Sequence, residues 1–365
     1  MPVADGRDLD RFIALPYDLH RRDAMWVPPL RRDVKILLSP AKNPFFRHAE
    51  AQYWLAVRDG RPVGRIAAIK NDEHQRIHED RVGFFGFFES IDDQSVATAL
   101  FDTAAEWLRA RGFDTMRGPM SPSINDESGL LVEGFDTPPV IMMPHNPRYY
   151  VPLHERYGFA KAKDLIAFEG SGFTTPERLL RAATVLAERK GISLRSLNMK
   201  RFHDEIELVK RLFNLAWEKN WGFVPMTDAE LDHLAAQLKP VIIPDLVCFA
   251  ELKGEPVGFG AAIPDLNVAL KHNPSGRMFP GILKVLWHAR KISRLRVALL
   301  GTVKEYRGRG IDALMYHWIW TKGNAHGFGW AEAGWMLEDN AAMINAALQL
   351  GFKPYKTYRV FDKPL

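Results

Sequence analysis

The stretch LLGTVKEYRGRGIDALMYHW, Leu299 to Trp318, reads as an apolar strand, a loop holding Arg307, Gly308, Arg309 and Gly310, and a helix. This arrangement suits an anionic phosphate group. Glycine lets main-chain N–H groups approach an anion without a Cβ in the way, and the start of the following helix carries about half a positive charge. The two arginines add counter-charge. A tight strand-to-helix turn with solvated arginines is the competing explanation, and the strand before and helix after weigh against it.

Working outward, the same order of elements occurs twice. AQYWLAVRDGRPVGRIAAI (Ala51 to Ile69) and LVCFAELKGEPVGFGAAI (Leu246 to Ile263) are both apolar hairpins with a glycine at the turn. A periodic helix then ends in ARGF at Phe113 or AHGF at Phe328. A later helix ends in RYGF at Phe159 or QLGF at Phe352, and a closing strand follows. Gly60 and Gly158 are 98 positions apart, Gly254 and Gly351 are 97 apart, so the spacing repeats along with the order. Val82 to Glu89 and Leu295 to Val303 are apolar enough for buried strands. Helices are expected over Val96 to Leu108, about Asp204 to Lys219, and Ile311 to Ala325. The fold class is α/β, a mixed sheet with helices, built twice. The boundary is expected at EGSGFTTP, residues 169–176, giving domains 1–170 and 171–365. Arg22 to His48 and Pro264 to Gly281 lack regular patterning and read as covering loops.

Composition narrows the classes. One cysteine among 365 residues excludes a disulfide framework and any Cys-based zinc module. The acidic first twenty residues and the lack of an 18-residue apolar run point to a cytoplasmic chain with no membrane partner. A net charge of +5 falls short of a nucleic-acid-binding stripe, which weakens a regulator role for Arg21, Arg22, Arg31, Arg32 and the 290–296 cluster. No HExxH or other His/Asp/Glu grouping has metal-ligand spacing, so no metal site is expected. Gly258-Phe259-Gly260 imitates a dinucleotide fingerprint but lies inside a strand. Cys248 reads as an inert buried thiol.

Arg307-Gly308-Arg309-Gly310-Ile311 resembles the cofactor signature of the GNAT superfamily of acyl-CoA-dependent N-acyltransferases, Gln/Arg-x-x-Gly-x-Gly/Ala, through its fifth position. The sixth is Asp312. Asn340 and Gly351-Phe352 are similar to a second family landmark, while Ala347 stands where many relatives carry a tyrosine acid. The resemblance implies two tandem GNAT-like domains and acetyl-CoA or another acyl-CoA as cofactor, with acetyl the expected acyl group. It also implies cofactor contacts from Thr302, Val303, Arg307, Gly308, Arg309, Gly310, Ile311 and Asn340, and direct attack of an amine on the thioester.

Registering the halves on Gly112 and Gly327 puts Glu89 opposite Lys304 and residues 90–95 opposite the glycine loop. That stretch has two acids and no glycine, so the first copy is expected to lack a cofactor and help form the acceptor site. Glu332 and Glu338 are candidates to take the amine's proton, against surface or capping roles. Asn125, Asp126 and Glu127, in the polar turn GPMSPSINDESG, are candidates for binding a small-molecule or peptide amine. His154 occupies the tyrosine position of the first copy and reads as a packed histidine. A non-catalytic acyl-CoA-binding or small-ligand-binding protein is the alternative, and a homodimer is compatible with either.

Overall fold

The computed structural model describes residues 1–172, 177–217 and 220–365, and the chain divides into two units. The first comprises Met1–Leu165, Leu266–Lys291 and Lys356–Leu365; the second comprises Ile166–Asp265 and Ile292–Tyr355.

The first unit opens with α1 (Gly6–Leu19) and α2 (Arg31–Leu37), followed by a hairpin of β1 (Ala49–Arg58) and β2 (Arg61–Asn71). The turn residues Asp59 and Gly60 both have positive φ, the conformation that a two-residue turn between twisted strands requires. After α3 (Asp72–His78), β3 (Val82–Ser90) returns antiparallel to β2. Then α4 (Gln94–Arg109) crosses over to β4 (Thr115–Gly118), parallel to β3. The short strands β5 (Met120–Ser121), β6 (Glu127–Ser128) and β7 (Leu130–Glu133) precede α5 (Tyr150–Tyr157) and β8 (Ala160–Ser171). Leu100, Phe101, Ala104 and Leu108 of α4 recur at three- and four-residue intervals. They bury one helix face against Phe85 and Phe88 of β3.

The second unit repeats the plan. α6 (Glu177–Lys190), β9 (Ile192–Ser196), α7 (Phe202–Trp217) and α8 (Asp228–Leu238) lead to a hairpin of β10 (Val247–Leu252) and β11 (Glu255–Pro264). Its turn, Lys253-Gly254, again has positive φ at both residues. The chain next contributes α9 (Asn267–Leu270) and α10 (Gly281–Ala289) to the first unit, then forms β12 (Arg294–Thr302), α11 (Ile311–Ala325) and β13 (Trp330–Leu337). It ends with α12 (Ala341–Gln349) and β14 (Lys353–Pro364). Within this unit the strand order is β8-β13-β12-β11-β10-β9, with β12 and β13 parallel.

The repetition extends to irregularities. Both hairpins shift register four residues before the turn glycine, at Ala56/Val57 and Ala250/Glu251. Gly64 and Gly258, each four residues after that glycine, lie so close to the next strand that an added Cβ would come within 2.9 Å of the Glu89 or Gly301 carbonyl oxygen.

Two expectations need correction here, and two others fall on residues that are not described. The units do not part at a single cut, because 266–291 and 356–365 return to the first one; residues 357–364 of β14 pair with β7 and β4 there. The expected boundary motif falls partly on residues 173–176, and the expected end of the α7 helix on 218–219, both outside the described residues. The two covering loops hold helices, α2 in one and α9 in the other, too short to show a helical period in sequence.

Candidate functional site

In the second unit the parallel pair β12 and β13 stays together only from Arg294 to Val297 opposite Trp330 to Ala333. Beyond that, β12 continues to Thr302 and β13 to Leu337 without pairing, so the strands part. On its other edge β12 remains zipped to β11, with Thr302 opposite Gly258 and the Val303 N–H donating to the Val257 carbonyl at 2.9 Å. Main-chain groups alternate sides along an antiparallel strand, so those of Leu300 and Thr302 face the parting. Val303 does not, which corrects its expected role: its N–H belongs to β11. The Thr302 carbonyl accepts from Arg307 Nε at 3.1 Å.

The glycine loop lies at the open end. Gly308 and Gly310 both adopt positive φ, and Gly308 has open space where a Cβ would sit. Gly310 is the residue before α11 and supplies no side-chain cap. Its own missing Cβ would stand 3.2 Å from Ala183 of α6, so a side chain there would press on that helix. Ile311 is buried in the core, leaving only its main chain for the loop. The arginines are less free than expected. Arg307 also donates to the Ala216 carbonyl at 2.6 Å, tying the loop to the end of α7, and Arg309 donates to the Glu305 carbonyl at 2.8 Å. Their charge stays beside the loop while their donors brace it. Asp312 turns toward β12 and accepts from the Thr302 hydroxyl. Burial pushes its carboxyl above the usual range, against the opposing effects of that hydroxyl and of Arg307, which favours the neutral acid.

Of the two carboxylates expected to take a proton, Glu332 is fully buried where the strands are still paired. The Tyr355 hydroxyl donates to it, and Arg296 Nε lies 3.7 Å away. It is neither a surface residue nor a reachable base, since solvent has no access to it. Arg296 also donates to the Gly334 carbonyl at 3.2 Å, so this buried group holds β12 to β13 just before they part. Sequence had no signal for the pair beyond an arginine and a glutamate on neighbouring strands; their register emerges only from the fold. Glu338 is half-buried, just past the end of β13. Asn340 caps α12, its side-chain oxygen accepting from the Met343 N–H at 3.3 Å. Ala347 is packed in the core.

The first unit treats the equivalent positions differently. Ile91 N–H donates to the Val63 carbonyl, as Val303 does to Val257, so Ser90 is the structural counterpart of Thr302. Counting back from Gly112 therefore slid the alignment by three residues. Asp93, the cap of α4, follows Ser90 by three positions and Gly310 follows Thr302 by eight, and the two extra residues from Asp93 to Gly112 over those from Gly310 to Gly327 reduce that difference of five to three. The Asp93 carboxylate accepts from the Ser95 N–H at 2.8 Å and from Arg58 at 2.8 Å. The Ser95 hydroxyl, then Arg58, hold it well below the usual carboxylate range. The Tyr150 hydroxyl accepts from the Ser90 N–H at 2.9 Å, and the Tyr149 hydroxyl donates to the Ser90 carbonyl at 2.8 Å. Where β3 and β4 part after Phe84 and Arg117, β5 moves in. The Ser121 hydroxyl accepts from the Phe87 N–H at 2.9 Å, and Gly86 is so close to Met120 that a Cβ would overlap its carbonyl.

Asn125, Asp126 and Glu127 sit together in the turn that follows β5. The Ser123 hydroxyl donates to Asp126 at 2.7 Å and accepts from the Asn125 N–H at 3.1 Å, and Glu127 is exposed on β6. His154 is enclosed by Phe85, Phe101, Phe159 and Phe361, with Nδ1 2.7 Å from the Tyr150 carbonyl oxygen, and burial pushes it down to about 4. Cys248 is buried and its thiol pushed up to about 12 by burial. Both are packing residues.

Residues 17–118 match the family described as Acetyltransferase (GNAT) family, a span within the first copy. Over 373 aligned residues the chain is 39% identical to a bacterial ceramide synthase of Caulobacter vibrioides (strain NA1000 / CB15N), covering 100% of this chain and 97% of that one. It is 36% identical to Protein YghO of Escherichia coli (strain K12), covering 98% and 93%. Among solved structures, a tandem GNAT protein from the clavulanic acid biosynthesis pathway superposes with a TM-score of 0.60 at 13% identity, covering 100% and 97%. At that identity the likeness is one of fold.

Proposed function

From the premise that the chain belongs to the GNAT family, as a tandem acyl-CoA-dependent N-acyltransferase, we propose that the second copy binds the acyl-CoA and that the acceptor is the amine of a long-chain amino alcohol. The observation that carries the cofactor assignment is the parting of β12 from β13 beside an uncapped helix start. The donor set suits a diphosphate: main-chain N–H groups at Gly308 to Ile311, room at Gly308, the α11 dipole and the charges of Arg307 and Arg309. Bound there, acyl-CoA supplies a thioester already activated for transfer to nitrogen.

The chain's own groups do the rest. The main chain of Leu300 and Thr302 offers hydrogen bonds to an extended arm, and a donor among them polarises an acyl carbonyl. Asn340, at the start of α12, is assigned to the same arm. Glu338, the accessible carboxylate of the pair, takes the proton that an ammonium must lose before it can attack. Glu332 positions the strands rather than exchanging protons. In the first copy, Asp126 and Glu127 put two carboxylates on one turn, which suits a cationic amine.

The lipid acceptor and a fatty rather than acetyl group rest on the full-length ceramide synthase relative, since a ceramide is the amide of a fatty acid with a long-chain amino alcohol. The test is thiol release from acetyl-CoA and from a long-chain acyl-CoA, each with short amines and with a long-chain 2-amino alcohol. Release confined to the two long-chain reactants together is expected. Release with acetyl-CoA and short amines alone would overturn the lipid assignment, and tight acyl-CoA binding with no release from any pair would favour a binding protein.

A further inference from the structure

We propose that α10 docks the protein on an anionic lipid surface. Four large apolar side chains crowd one short segment: Phe279, Leu283, Leu286 and Trp287 are 77%, 60%, 59% and 62% exposed, and no other large apolar residue among those described exceeds 49%. Leu283, Leu286 and Trp287 recur at three and four positions, one face of the helix. Gly281 and Val285 are buried on the other. A soluble chain rarely shows so much contiguous apolar surface without a partner.

The charge around this face selects the partner. Residues 266–291 contain five Lys and Arg and no Asp or Glu, in a chain whose other residues carry equal numbers of acids and bases. Lys271, Arg277, Lys284, Arg290 and Lys291 are all exposed, and none forms an ion pair among the described residues. An apolar strip with an indole, on a segment whose own charges are all cations, matches a bilayer interface with anionic headgroups, where the ring sits among acyl chains and the cations meet phosphates. α10 is too short to span, and among the described residues no helix is long and apolar enough to cross a membrane. It would lie in the interface plane. A nine-residue amphipathic face leaves no long apolar run in the sequence, which is why none of its patterning points to a membrane partner.

The platform is fixed. A Cβ on Gly281 would strike the Asn273 side chain at 2.2 Å, so the helix start rests on that residue. Asn273 in turn donates to the Arg277 carbonyl and accepts from the Ser275 hydroxyl. Arg31 holds the same loop through the Ser275 carbonyl at 2.9 Å, and the His272 and His288 rings stack with centroids 3.4 Å apart. The apolar side chains therefore need no rearrangement to meet a surface.

The experiment is co-sedimentation of the full chain with neutral phosphatidylcholine vesicles and with vesicles about one-third phosphatidylglycerol, without acyl-CoA or amine, so failure of the transfer reading does not decide it. The wild-type protein is expected to partition at least about tenfold more onto the anionic vesicles and to lose that preference at high salt. Leu283→Asp with Trp287→Asp is expected to lower binding at least about tenfold, and Lys284→Glu with Lys291→Glu to remove the anionic preference, with unchanged circular dichroism. No binding to either vesicle overturns the proposal. So does a dimer in sedimentation velocity that the Leu283/Trp287 variant converts to monomer, or salt-sensitive nucleic-acid binding lost in the lysine variant while vesicle binding persists.

Discussion

The two copies start from the same strand-helix-strand unit and finish it in opposite ways. In the second, β12 and β13 part after Val297 and Ala333, the following loop runs eight positions to Gly310, and α11 begins without a side-chain cap. In the first, β3 and β4 part after Phe84 and Arg117, but β5 enters the space, two tyrosines occupy the main chain of Ser90, and Asp93 caps α4 three positions on. A helix start carrying its own carboxylate has already engaged one of the donors that a diphosphate would use and places a negative charge beside the rest. The difference teaches that loop length and the absence of a side-chain cap decide whether a strand-to-helix turn leaves its main-chain donors open.

The sharpest way to break this comparison is Gly308→Asp. The position has room for a side chain, and aspartate tolerates its left-handed backbone better than most residues, so the fold should survive. A carboxylate placed there is expected to weaken long-chain acyl-CoA binding by about 100-fold, roughly 2.7 kcal/mol, read by calorimetry with melting temperature as control. Equal heats in parent and variant would remove the second copy as the cofactor site.

Much of this was legible beforehand. The hairpins, both buried strands and the Ile311 to Ala325 helix follow from periodicity and turn glycines, because those signals are local. What sequence missed is non-local. That Arg307 braces carbonyls at Thr302 and Ala216, that Asp312 bonds Thr302, and that Glu332 lies buried against Arg296 and Tyr355 all depend on register between strands distant in sequence. The slid alignment of the two loops has the same origin, since a change in loop length leaves no periodic trace. The family match over 17–118 lies in the copy with the closed loop. The strand and helix pattern of the family thus outlasts the loop chemistry.

The next test concerns His154 and Ala347, which stand at equivalent helix positions, both fully buried. Burial lowers the His154 pKa from 6.5 to about 4, so between these values the unfolded chain binds a proton that the folded one refuses. The stability His154 contributes is present above pH 6.5 and is lost as pH falls to about 4, amounting to roughly 3 kcal/mol. Ala347 contributes no such dependence. His154→Leu should flatten the fall in urea-midpoint stability between pH 7 and 4.5; an unchanged slope would show that the ring is not held neutral.

Two carboxylates at the starts of the paired helices should respond to pH with opposite signs. Asp93 is lowered, so its contribution is present above the unfolded value near 3.8 and is lost as pH falls. Asp312 is raised by burial, so the folded state keeps a proton that the unfolded chain releases, and stability declines as pH rises above 3.8. Asp312→Asn retains an acceptor for the Thr302 hydroxyl and removes the ionisable group. It is therefore expected to be more stable than the parent at pH 7 and to lose that advantage near pH 4. Parallel curves at both pH values would mean that Asp312 ionises freely.

The smallest effect is expected from opening the first copy. Asp93→Gly removes the cap of α4 and the partner of Arg58, and because the site is exposed the melting temperature should fall by only a few degrees. It frees helix-start donors, yet should not create acyl-CoA binding at the first copy. β5 still fills the parting beside Gly86, and Tyr149 and Tyr150 still hold the Ser90 main chain, so an extended arm has neither space nor partners. A double variant, Asp93→Gly with Gly308→Asp, measures the point directly, because any cofactor binding recovered over Gly308→Asp alone must come from the first copy. Recovery would mean that the cap by itself closes that site. Its absence would mean that strand parting and helix start are both required, a condition that, among the described residues, β12 and α11 meet together.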